Sequence, residues 1–294
     1  MKRCLWLYGA VCLSMCACGS ASSSANVAAA GAPGSAGASD AAGAPNPGGA
    51  SGAGAGTGGG ADQCPESPIP DASGSSGVTL PVEIFGAGAP LTTGQVVTPS
   101  TGTPYKLSLL KLYFSSPVLL KSDGTRVPAQ LVQSNATPLP YGISLVDLDV
   151  PASQSLTLIG PGGDYSGLEL GVGLPAACNA GDPTKRAFPL NADSDMYWTW
   201  GTQYMFIRIE GARGGEGAWS SFTLHVGFQQ AYRVVRLTGG LRLMPGGGSP
   251  KVHLDVDRLL NAPSGADASG ADSHEAPDEW VADNAANGAL TLVP

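Results

Sequence analysis

Three histidines and one pair of tryptophans are the residues whose types and spacing point to chemistry. The stretch from Asp193 to Gly211, DSDMYWTWGTQYMFIRIEG, holds two of the five tryptophans of a chain that is only 6% aromatic. An extended chain sends alternate side chains to the same side. An unbroken strand therefore puts Trp198 and Trp200 on one face with Tyr204, Phe206 and Arg208. Two readings stand: the tryptophans fill the core of a buried strand, which composition alone favours, or they form a redox-active or ligand-binding cluster beside a metal. In the run Ser221 to Val226, SFTLHV, alternation sets His225 on the face opposite Phe222, Leu224 and Val226. In the run Val252 to Asp257, VHLDVD, His253 shares its face with Asp255 and Asp257. Imidazole is the commonest metal ligand, although a lone strand histidine is more often solvated or hydrogen-bonded. His274 falls in an acidic loop and reads as exposed.

The usual catalytic signatures are missing. The mature chain has no Gly-x-Ser-x-Gly elbow, no phosphate-binding Gly-Lys-Ser/Thr loop, no His-Glu-x-x-His and no Cys-x-x-Cys. With no nucleophile or base constellation, a non-enzymatic role is expected.

The residues before the folded part set the compartment. Residues 1–18, MKRCLWLYGAVCLSMCAC, open with Lys2 and Arg3 and continue in an apolar run too short to span a bilayer. They read as an export signal. Cys18 follows the small Ala17 and is the expected acylation site of a lipoprotein, whereas Cys16 follows the bulky Met15; ordinary cleavage after the small residues is the alternative. Acyl chains would hold the protein at a membrane with no spanning helix. Residues 19–77 are mostly Ala, Gly, Ser and Pro, with few large apolar groups to repay the entropy of ordering, and are expected to form a disordered tether.

Removal of Lys2 and Arg3 from the 15 basic residues leaves 13 against 23 acidic ones, a formal charge of −10. Such a surface does not seek nucleic acid or anionic lipid. Cys64 and Cys178 remain after cleavage and acylation. In an oxidising compartment they are expected to form a disulfide; a metal-binding thiolate pair is the other reading, weakened by the low complexity around Cys64.

Residues 78–294 have the length of one domain. Candidate strands are Leu80 to Phe85, Tyr105 to Phe114, Ser144 to Val150, Ser155 to Ile159, Ser166 to Val172, Gln203 to Glu210, Ser221 to Val226, Tyr232 to Leu237 and Lys251 to Val256. Val256 to Asn261 is expected to add a helical turn. Short strands with Gly/Pro punctuation and no long amphipathic helix predict an all-β fold, an antiparallel β-sandwich or barrel.

Several local runs share an order and spacing with one family. They include Leu112-Tyr113-Phe114-Ser115, Ser144-Leu145-Val146-Asp147 and Tyr165-Ser166-Gly167-Leu168 followed by Gly171-Val172. Most specific are Asp182-Pro183, Pro189-Leu190-Asn191, Met196-Tyr197-Trp198-Thr199-Trp200 and Tyr204-Met205-Phe206-Ile207-Arg208. His225-Val226-Gly227 and Ala282-Asp283-Asn284 follow. From Lys106 to Asn284 this order resembles the MbnP-like copper-binding proteins, the four-cysteine members of the metallo-mystery pair, exported and encoded beside a di-haem peroxidase of the MbnH type.

The resemblance implies copper as cofactor and such a peroxidase as partner. It also implies His225, Trp198 and Trp200 as candidate metal-site residues, with a tryptophan oxidised to kynurenine so that its new amine and carbonyl join the ligands; His253, from its place on a polar strand face, is a further candidate ligand. The family's Asn-His-x-Asp-Pro reads here Asn179-Ala180-Gly181-Asp182-Pro183, so an alanine stands where the family has a histidine, and most of the four-cysteine pattern is absent. The expected function is therefore an exported lipoprotein, periplasmic or on the outer-membrane surface, that binds copper. A metal-free scaffold or adhesion module on the same fold is the alternative.

The anchor can be tested directly. Cys18→Ser should move the protein from the membrane fraction to the soluble one, and Cys16→Ser should leave it in place; release by the second change alone would refute the assignment.

Overall fold

Strands form here where branched and aromatic residues alternate with polar ones, because each pleat sends one set inward and the other outward. The computed structural model describes Cys64 and residues 75–294, apart from 101, 134–136, 201–202, 216, 245–249, 263–271 and 274–278. The expected export signal with Cys18, residues 19–63 and 65–74 of the expected tether, and His274 lie outside the described residues. Everything described belongs to the unit Gly58–Pro294.

In chain order the first strands are β1 (Ser75–Gly86), β2 (Ala89–Pro90), β3 (Tyr105–Leu120), β4 (Arg126–Pro128), β5 (Gln130–Val132), β6 (Ser144–Asp147) and β7 (Ser155–Pro161). There follow β8 (Gly163–Val172), β9 (Met205–Gly215), β10 (Ala218–Gly227), β11 (Arg233–Leu243), β12 (Lys251–Asp255), β13 (Asp272–Ser273) and β14 (Leu290–Val293). Two short helices, α1 (Val256–Leu259) and α2 (Glu279–Asn284), complete the main elements. No described helix is long and apolar enough to cross a membrane.

The strands build two sheets. One runs β14-β12-β1-β7-β5 with β2 on β1; the other runs β11-β8-β3-β9-β10-β13 with β4 and β6 on β3. Their inner faces enclose one apolar core that includes Leu80, Leu110, Leu112, Phe114, Leu168, Leu224 and Leu254. Of the two expected architectures the sandwich is the one formed. Most pairings are antiparallel, but β1 with β12 and β10 with β13 run parallel.

The long central strand β3 needs corrections to keep its leucines inside. Leu107 and Leu110 are both fully buried although three positions apart, and a register shift between Leu107 and Leu109 against β9 absorbs the odd residue. A second shift falls between Ser115 and Val118, with Ser116 at φ 48°.

Sequence boundaries move at several places. β1 begins at Ser75, inside the stretch assigned to the tether, and pairs with β7 from Ser75↔Pro161 onward. β6 ends at Asp147 and gives way to a short 3-10 turn at Pro151–Ser153. β14 and α2 were not anticipated. α1 occupies the expected helical turn and is capped by Asp255, whose carboxylate accepts from the Arg258 N–H at 3.1 Å.

The eight-stranded sheet is also covered on part of its outer face. There the segment between β8 and β9 lies over β3, β9 and β10, burying Leu174, Leu190, Met196, Trp198 and Tyr204 together with Tyr113 and Phe206. Tyr113 and Tyr204 meet edge to face at 6.5 Å, and their hydroxyls donate to the carbonyls of Pro189 and Leu190 at 2.6 and 2.7 Å. Within this segment Cys178 is bonded to Cys64 across a sequence separation of 114. Closing so long a loop removes freedom from the unfolded chain. Replacing both cysteines with serine should lower the unfolding free energy by about 2–4 kcal/mol, read from denaturant melts of oxidised wild type and variant.

Candidate metal centre

The outer-face layer decides where the chemistry-bearing side chains stand. Ala180 bridges antiparallel to Gln203 and Tyr197 to Tyr204, and the Trp198 N–H donates to the Gln203 carbonyl at 3.3 Å. Three short runs therefore lie side by side, with Gln203 between Ala180 and Trp198. The condition of an unbroken strand from Trp198 to Arg208 is not met: Trp198 and Trp200 sit on one arm, and β9, foreseen from Gln203, begins at Met205 on the other.

The two tryptophans differ in surroundings. Trp198 is 3% exposed and stacks on Phe228 at 4.9 Å, whereas Trp200 is 64% exposed and leans on Trp198 at 5.5 Å. Gly227 makes the burial possible. A Cβ there would come within 2.2 Å of the Trp198 ring, so only a residue without a side chain lets the indole lie on the strand. Gly227 follows His225 by two positions along β10, which brings the indole alongside the imidazole's stretch of strand. The Nε1 of Trp198 and the Oε1 of Gln203 are both buried without a hydrogen-bond partner, a costly arrangement for polar atoms removed from water.

His225 joins a charged chain on the same face. Its Nε2 is 3.0 Å from Glu210 Oε1, and that oxygen also accepts from Arg208 Nε and Nη2 at 2.8 and 2.7 Å. The far side of Arg208 donates to the carbonyl of Asp195 at 2.7 Å and to its carboxylate. Burial pushes the Glu210 carboxyl up, but the bonds from His225 and Arg208 and their charges outweigh it and hold the group below the usual carboxylate range. Burial likewise opposes the charge on Arg208, and its two carboxylate partners raise its pKa above the usual value.

His253 stands elsewhere. It lies on β12 in the other sheet, paired in register with Glu83, whose Oε2 is 2.8 Å from its Nε2, and its ring packs on Phe85 at 4.7 Å. It shares a strand with Asp255, but Asp257 has left that face for α1, where it accepts from the Tyr105 hydroxyl at 2.7 Å. The structure thus pairs Trp198 with Trp200, sets the Trp198 ring on Gly227 two residues along β10 from His225, and leaves His253 in the other sheet.

As a donor set for copper, the unmodified side chains are sparse. No three His, Cys, Asp or Glu side chains cluster as a metal cage among the described residues. Cys178 is committed to its disulfide, Ala180 has no donor, and an intact indole nitrogen has no lone pair to give. One imidazole remains, next to an indole whose buried N–H lacks a partner.

A family model described as MbnP matches residues 75–275. The chain belongs to the MbnP family. Among solved structures, MbnP from Methylosinus trichosporium is similar at 19% identity, covering 70% of this chain and 87% of that one with a TM-score of 0.49. No curated protein sequence matches.

Within this MbnP domain, sequence reasoning had not given Glu210, Gln203, Phe228 or Asp195 a part in the site. Glu210 was within reach: it alternates with Ile207 and Ile209 on β9, and the β9–β10 hairpin sets Arg208 opposite His225. Gly227 offers a test of the geometry. Gly227→Ala should expel the Trp198 ring, red-shift tryptophan emission and cost about 1–3 kcal/mol of stability as overpacking does; unchanged emission would refute the contact.

Proposed function

We propose that this MbnP-family chain is an exported, lipid-anchored, non-enzymatic protein at the periplasmic or outer-membrane surface that holds copper. His225 is the imidazole ligand, and Trp198, opened to kynurenine, is the second. The observation that carries the reading is the burial of Trp198, whose Nε1 has no hydrogen-bond partner and whose benzo edge rests on Gly227, two residues from His225. Oxidation needs a co-reactant, and the family resemblance supplies its class, a di-haem peroxidase using peroxide. Two hydrogen peroxides supply the four-electron oxidation and leave as two waters: the indole C2–C3 bond breaks, C3 becomes a ketone and C2 a formamide on the ring nitrogen, and one water then hydrolyses that formamide, releasing C2 as formate and freeing the aromatic amine. Imidazole and an aryl amine are nitrogen donors of the kind copper accepts.

Ala180 supports the competing reading, a metal-free scaffold, because it stands across Gln203 from Trp198 with no donor to offer. One set of proteins separates the two. Co-expressed with the peroxidase, wild type should show the Trp-to-kynurenine mass change in the peptide holding Trp198, bind Cu(I), and lose it in His225→Ala. Ala180→His should tighten binding about tenfold or more, since an added ligand bond exceeds the roughly 1.4 kcal/mol that a tenfold change represents. Equal metal content in all three proteins with both tryptophans intact would leave only the scaffold.

A further inference from the structure

The geometry points to Gln203 as the partner that Trp198 acquires when its ring opens: the amide Oε1 accepts an N–H of the aromatic amine that the oxidation frees. This rests on the reading of Trp198 as the modified residue; the two unpaired atoms behind it belong to the unmodified chain. Trp198 is 3% exposed, and its Nε1 and the Oε1 of Gln203, a donor and an acceptor, are both buried with no hydrogen-bond partner. They are neighbours by register. Tyr197 bridges antiparallel to Tyr204 and the Trp198 N–H donates to the Gln203 carbonyl at 3.3 Å, so Trp198 and Gln203 stand directly opposite each other. Side chains in that relation leave the same face, with Cβ atoms about 4.5–5.5 Å apart. Ala180 faces Gln203 from the other side of the row and brings only a methyl group.

A donor and an acceptor on neighbouring side chains stay unpaired here because the indole cannot turn. Its N–H is fixed in the plane of two fused rings, and that plane is held on several sides. The benzo edge rests on Gly227, where a Cβ would come within 2.2 Å of it. Phe228 stacks on the ring at 4.9 Å with the planes inclined by 25°, and Trp200 leans on it at 5.5 Å. Opening the five-membered ring removes the restriction. The nitrogen becomes a primary amine on a benzene ring that turns about a single bond to the new ketone, and it carries two N–H groups in place of one. Buried polar atoms without partners cost stability. A hydrogen bond that forms only after opening therefore makes the covering layer fit the opened side chain better than it fits tryptophan.

The test compares two forms of the full-length, metal-free protein, expressed without and with the di-haem peroxidase, with fragment masses reporting whether Trp198 is modified. Without the peroxidase, Gln203→Leu should leave the urea midpoint unchanged or raise it, because it removes an acceptor that has no partner. In the kynurenine form the same change should lower the folding equilibrium constant about twofold to tenfold, the contribution of one neutral hydrogen bond. It should also shift the kynurenine absorption band, which responds to a hydrogen bond at the amine. A loss of the same size in both forms, as a water joining the two groups would give, overturns the assignment of Gln203, and so does an unchanged midpoint or band in the kynurenine form. A wild type whose Trp198 stays intact beside the peroxidase overturns the reading of Trp198 instead, and the fragment masses tell the two failures apart.

Discussion

A phenol wholly removed from water must keep its hydrogen bonds, and Tyr113 imposes that condition on the outer face of the eight-stranded sheet. Its burial raises the hydroxyl's pKa far above the usual value, so it stays a neutral donor. It gives its proton to the Pro189 carbonyl at 2.6 Å and lies 3.2 Å from Ser194 Oγ. Leaving such a group unsatisfied costs about 1–3 kcal/mol, so the chain above it has little freedom at residues 189 and 194. Everything between β8 and β9 follows from those two fixed points. Asp195 comes to rest over Arg208, and Met196 to Trp198 run on across the end of β10. Arg186 secures the other half of the segment. Buried between the rings of Tyr141 and Tyr204, it donates to the carbonyls of Cys178 and Ala180 at 2.7 and 2.6 Å.

The same face carries a charge conflict that the covering segment resolves. Asp147, Lys111, Arg208 and His225 stand in register across β6, β3, β9 and β10. Lys111 and Arg208 are directly opposite, and like charges in that relation destabilise a sheet. Each is drawn away from the other. Lys111 pairs with Asp147 at 3.4 Å and donates to the Ser194 carbonyl at 3.1 Å, while Arg208 turns to Glu210 and Asp195. Removing Asp147 would leave Lys111 without a carboxylate, whereas Arg208 keeps one of its two if either is lost; a partly buried cation left unmatched costs more than an intact pair contributes. The geometry around His225 is thus a product of charge balance on the sheet as much as of any demand from a ligand.

Alternation made most strands legible, and it also gave the correct face for His225. It failed where periodicity carries no information. Trp198, Trp200 and Tyr204 share one parity in sequence, so an unbroken strand and two pairing arms look alike; only Gly201 hinted at an interruption. Which tryptophan is buried was equally hidden, because the deciding residue is Gly227, twenty-nine positions from Trp198, acting through the side chain it lacks. The cysteine pair was found by elimination, since export and acylation left two thiols. The left-handed Asp195 closes the 3-10 turn Ala192–Ser194, its N–H donating to the Ala192 carbonyl at 3.1 Å, and what sequence did not show is that this places its carboxylate on Arg208.

His253 shows which of these features matter. It repeats the local pattern of His225 closely: a strand imidazole on an outward face, a glutamate on the neighbouring strand at 2.8 Å, and a cation, Lys251, sharing that glutamate at 2.6 Å. By residue type and pairing the two sites are equivalent, and sequence alone ranked them together. Yet the His253 side chain is 32% exposed, against 10% for His225, and its aromatic neighbour is Phe85, which has no polar atom. Among the described residues no segment with a buried indole contacts it. A histidine–glutamate pair on a sheet surface is therefore not in itself a ligand site. At His225 the distinguishing feature is the layer pinned by Tyr113 and Arg186, which locks its carboxylate through Asp195 and Arg208 and lays the benzo edge of a buried indole on the same stretch of strand.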